Sequence, residues 1–169
     1  MLWDISGADG LAIAQTLFGQ SVSYLAPFQS LETVLEENPC SVLRLCNRNF
    51  RILSSSPIPQ HLIPQHLIPQ AHTASIHQYS WLQTFSISPQ QLHQLTQKAT
   101  VRAPHRLTNL PNHQAVPAQL DDIALLIWQH SSAHRPSIDI HTSHSSAKLL
   151  ESKINSWDSH SLMTPQRPS

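Results

Sequence analysis

Apolar residues recur along the first fifty positions with two different periods. Leu2, Trp3 and Ile5 open a short strand. Ser6-Gly7-Ala8-Asp9-Gly10 reads as a turn, and Asp9 can cap a helix that starts there. Leu11, Ala14, Leu17 and Phe18 fall on one helical face, and Gly19 stops that helix. Residues 21–25 are a short strand candidate. Phe28, Leu31, Val34 and Leu35 make a second helical stripe, closed by Asn38-Pro39. Residues 42–46 read as a strand that pairs with 50–53 across Asn47-Arg48-Asn49. Strand, helix, strand, helix, strand, strand predicts an α/β or α+β layer: a small mixed-sheet domain.

The pattern then breaks. Ile-Pro-Gln-His-Leu occurs twice in tandem from Ile58, followed by Ile-Pro-Gln-Ala-His. A proline at every fifth position forbids a helix and a central strand. Extended, polyproline-like backbone is expected, as a Pro/Gln/His-rich insertion. Order returns near Trp81. Ser88 can cap a helix, Pro89 suits its first position, and Gln91 can complete a capping box. Leu92, Leu95 and Ala99 give that helix its buried stripe. Pro104, Pro111 and Pro117 cut the next stretch into short pieces. Residues 123–128 then read as a buried strand. Beyond His130 the chain is mostly Ser, His and polar residues, so a disordered C-terminal tail is expected, with Leu149, Leu150 and Ile154 hinting at one or two helical turns. The expected organisation is an N-terminal segment over 1–56, a linker over 57–78, a helix-plus-strand segment over 79–130 and a tail over 131–169. Core candidates are Leu11, Leu17, Phe18, Leu31, Leu35, Leu43, Leu45, Leu92, Leu95, Leu125 and Ile127.

Composition narrows the classes. The 169 residues hold 13 prolines and 3 glycines, all three glycines within the first twenty positions, so later turns rely on Pro, Asn and Ser. Lys+Arg and Asp+Glu both number 10, which leaves no electrostatic footprint for nucleic acid. Cys40 and Cys46 on one strand would stand about 20 Å apart, far beyond the roughly 7 Å that a disulfide spans. Two reduced thiols suit a cytoplasmic location. Met-Leu-Trp-Asp lacks the basic and apolar regions of a signal peptide, and the apolar run 123–128 is too short for a bilayer, so no membrane partner is expected.

Candidate chemistry is sparse. His61, His66, His72 and His77 recur at spacings of five or six, but no Cys or carboxylate lies among them, and a histidine-rich linker is the favoured reading. Gly7-Ala8-Asp9-Gly10 before a helix suits a phosphate-binding turn only in part, since Asp9 would repel the anion; a capped turn is favoured. Arg44, Arg48 and Arg51 read as a solvated strand face. Arg44 and Arg48 flank Cys46 and can lower its thiol pKa, although a buried, inert thiol is the favoured reading. Asp121 and Asp122 precede the buried strand, where a carboxylate can hold Mg²⁺ or Mn²⁺; the alternative is a turn with a strand-edge charge.

Asp121-Asp122-Ile123-Ala124-Leu125-Leu126-Ile127 resembles the final metal-binding strand of PP2C-type (PPM) serine/threonine phosphatases. Ser88-Pro89-Gln90-Gln91-Leu92 resembles the helix start after that family's Asp-Gly-Leu motif, and residues 104–110 can stand for the short helix between. The resemblance covers residues 81–128 and implies Asp121 as the metal aspartate, with Mn or Mg as cofactor. The departures are large. Leu82-Gln83-Thr84-Phe85 stands where the family has Ser-Asp-Gly-Leu. Ala8-Asp9-Gly10 lacks the subsequent glycines, and Cys46-Asn47-Arg48 replaces Gly-Asp-Ser-Arg. Two-metal hydrolysis needs several bridging carboxylates, so the resemblance implies a crippled site. Three functional readings are compatible with the sequence. The first is a non-catalytic interaction or regulatory domain whose partner is another protein, with no cofactor. The second is a degenerate PP2C-like domain. The third is the poorly folded product of a decayed reading frame.

Overall fold

A computed structural model describes residues 1–59, 74–132 and 135–160. The fold is α+β, with helices set beside antiparallel sheets. It divides into two compact units. One comprises the described parts of Met1–Ser80 with Leu110–Ala115 and Gln129–Ser137. The other comprises Trp81–Asn109, Val116–Trp128 and the chain from Ile138.

The first unit is built on β1 (Leu2–Gly7), β2 (Ser30–Leu35), β3 (Asn38–Arg44), β4 (Phe50–Ser54) and β5 (Ala74–Gln78), in the order β2-β3-β4-β1-β5. The register aligns Val42, Ile52 and Trp3 in one row and Phe50, Ile5 and Ile76 in the next. Alternation sends all six to one face. There Ile5, Val42, Phe50, Ile52 and Ile76 pack with Ile13, Ala14 and Phe18 of α1 (Gly10–Phe18) and with Val22. Gly10 lets α1 start against the chain: a Cβ there would overlap the backbone carbonyl of Arg48.

Four expectations change in this unit. The stripe from Phe28 to Leu35 is not a helix but β2. Leu31, Thr33 and Leu35 face β3 partners Val42, Cys40 and Asn38, while Val34 points to the other face and stands exposed. Leu31, Val34 and Leu35 fit helical spacing by coincidence, and cross-strand pairing of β-branched residues decides. The strand expected over 21–25 is a 3₁₀ helix, Gln20–Tyr24, which turns Val22 into the core. β3 begins earlier than expected and includes Pro39. Its ladder with β4 ends at the Cys40–Ser54 pair, so the missing N–H of Pro39 lies beyond it. β5 and the buried Ile58 fall within the expected linker, and residues 60–73, with His61, His66 and His72, lie outside the described residues.

The second unit contains β6 (Leu82–Ser86), α2 (Pro89–Lys98), β7 (Thr100–Val101) and α3 (His144–His160). It also holds the greater part of β8 (Gln114–Leu120), β9 (Ile123–Ser132) and β10 (Arg135–Ser143), in a sheet ordered β6-β10-β9-β8-β7. The capping box is present: Ser88 Oγ accepts from the Gln91 N–H at 3.2 Å, and Gln91 Oε1 accepts from the Ser88 N–H at 2.8 Å. Ile123, Leu125 and Ile127 share one buried face of β9, and Trp128, next in the strand, is buried on the other. The segment expected as a disordered tail holds β10 and α3 as far as His160; 161–169 lie outside the described residues. Ala147, Leu150 and Ile154 form the buried stripe of α3. Among the described residues no helix is long and apolar enough to cross a membrane.

Two substitutions test these local causes by urea unfolding. Helix propensity alone would have Gly10→Ala gain about 1 kcal/mol. The overlap with the Arg48 carbonyl reverses the sign, and a loss of about 1–3 kcal/mol is expected. Ser88→Ala removes the cap and is expected to cost about 1 kcal/mol.

Candidate functional site

The most concentrated polar chemistry of the first unit lies on the sheet face turned away from α1. Asp4 sits between Trp3 and Ile5 in β1, so its side chain points opposite to theirs. The register places it between Arg51 on β4 and His77 on β5. Asp4 is 2% exposed and Arg51 7%, so two opposite charges are buried side by side. Arg51 Nε donates to Asp4 Oδ1 at 3.0 Å and Nη2 to Oδ2 at 3.3 Å, a bidentate, charge-assisted pair. The Tyr79 hydroxyl also hydrogen-bonds Asp4. The Arg51 guanidinium lies 5.1 Å from the centre of the Tyr79 ring, and His77 meets that ring edge-on at 5.2 Å.

Burial holds the Asp4 carboxyl above its ordinary pKa of 3.8, with the hydrogen bonds and charge of Arg51 opposing the rise. Tyr79 is pushed up to about 12 by burial first, and then by the Asp4 carboxylate that its hydroxyl faces. The tyrosine therefore keeps its proton at neutral pH. With Asp4 enclosed, the cluster ties three strands together rather than presenting an acid to a substrate.

A second buried polar group belongs to the other unit. Ser86 Oγ of β6 donates to Asp139 Oδ1 of β10 at 2.7 Å. Thr142 Oγ1 donates to the Ala124 carbonyl of β9 at 3.0 Å. His141, on the same face of β10 as Asp139, meets Trp128 edge-on at 5.9 Å. Asp139, His141 and Thr142 are all buried. The hydropathy sign of this group is the brief alternation of Ile138 and Ile140 around Asp139, too short to stand out in a Ser/His-rich stretch.

The residues singled out from the sequence do not converge. Asp121 and Asp122 form the exposed turn between β8 and β9. Asp121 adopts φ 51°, a left-handed conformation that Asp tolerates better than most residues. Its Oδ2 stands 2.7 Å from Lys153 Nζ on α3. Among the described residues, no group of three or more His, Cys, Asp or Glu is arranged to hold a metal ion. Asp9 occupies the cap position of α1, but its side chain makes no capping hydrogen bond; Gly7 takes φ 123° in the same turn. His77 is exposed on β5.

The three arginines do not make one solvated face. Arg51 is buried, as above, because Asp4 compensates its charge. Arg44 braces a loop by donating to the carbonyls of Ser23 at 3.1 Å and Leu25 at 2.7 Å, and lies 5.8 Å over the Phe50 ring. Arg48 is exposed. Both cysteines are free; Cys46 is exposed rather than buried, and Cys40 is the enclosed one, its thiol pushed up to about 11 by burial.

These environments make two outcomes measurable. Folding raises the Asp4 pKa, so its favourable contribution is complete below 3.8 and is lost as pH rises through the native value. Arg51→Met leaves the ionised carboxylate uncompensated. Urea unfolding is expected to show a loss of about 3–5 kcal/mol at pH 7, shrinking towards acid pH as Asp4 takes up its proton. For the thiols, a disulfide reagent at pH 8 is expected to modify Cys46 quickly and Cys40 only after denaturation, and Cys46→Ser should abolish the fast phase.

No protein-family model matches the chain, and no curated protein matches it. Among solved structures, its fold is similar to the crystal structure of glycine cleavage system aminomethyltransferase T from Bartonella henselae, with 14% sequence identity and a TM-score of 0.67. The likeness covers 90% of this chain and 42% of that one, so the chain spans less than half the length of the protein it matches. At this identity the likeness establishes the fold alone.

Proposed function

We propose that the chain is a non-catalytic interaction or regulatory domain of the cytoplasm, and that its partner is another protein. The observation that carries this reading is the coverage of the structural match: an architecture that takes up 90% of this chain takes up 42% of a longer one. A fold that elsewhere forms part of a larger chain suits a domain that works against something else.

The surface supports the same reading. Tyr24 is 84% exposed in the first unit, and Trp81 is 56% exposed in the second. Large aromatic side chains supply much of the binding energy where proteins meet. Equal numbers of acidic and basic residues favour a protein partner over a polyelectrolyte. Two free cysteines suit the reducing cytoplasm. The aminomethyl transfer of the structural neighbour is not carried over, because one fold serves many chemistries.

The test uses the full chain, tagged, in its native cells. Wild type is expected to co-purify with one protein in fixed ratio. Tyr24→Ser and Trp81→Ser are expected to keep the wild-type melting midpoint, and at least one of them to lose that protein. A chain recovered alone in every case would overturn the reading.

A further inference from the structure

We draw no further inference here: the strongest candidate, the outer edge of β2 where Val34 stands exposed beside Glu32, carries nothing, because His113 and Ala115 already bond the chain where it enters that strand and nothing in the structure shows what covers the rest.

Discussion

The buried pair of Asp4 and Arg51 is the constraint on which the first unit depends. β-Strand pairing alone tolerates slippage, because backbone hydrogen bonds can re-form one step along. A slip of one residue in β1 would carry Asp4 to the apolar face beside Ile52 and Phe50, turn Ile5 away from it, and bury Arg51 without its counter-charge. Arginine stays charged at any ordinary pH, so it cannot escape that cost by losing a proton. The native register is the arrangement in which the Asp4 and Arg51 side chains meet, and Tyr79 adds both a hydrogen bond and a ring face to it.

The second unit obeys a milder form of the same rule. Its strands carry buried polar side chains, and two of them are answered from a neighbouring strand: Asp139 by Ser86, and Thr142 by the Ala124 carbonyl. Because buried polar groups need partners, these contacts specify which strands lie side by side. Apolar stripes on β9 and α3 supply the driving force, while the polar contacts limit how it can be satisfied.

The features legible in the sequence are local ones. The start of α2 can be read because Ser88, Pro89 and Gln91 each act within four residues of one another. The start of β9 can be read because residues 123–128 are an unbroken apolar run. Phe18, Leu35, Leu43, Leu95, Leu125 and Ile127 are buried as expected, whereas Leu11, Leu17, Leu31, Leu45 and Leu92 are only half-buried. The features that escape are non-local. β2 imitates a helical stripe until β3 is placed beside it. β10 looks like a polar tail until Ser86 and Ala124 arrive from earlier in the chain. Arg51 reads as a surface residue because its partner lies 47 positions away. Asp121 and Asp122 suggest a metal strand by their neighbours, yet their place is set by the tight reversal between β8 and β9.

The hairpin of β2 and β3 turns through Glu36 and Glu37, which adopt φ 45° and 69°. Neither residue favours the left-handed region, at roughly 1–2 kcal/mol each, and their two carboxylates are adjacent in the chain. Such a turn gives its strands no head start. The pairing of β3 with β2 and β4 must offset that cost, so the hairpin is held closed by the sheet around it rather than by its turn residues.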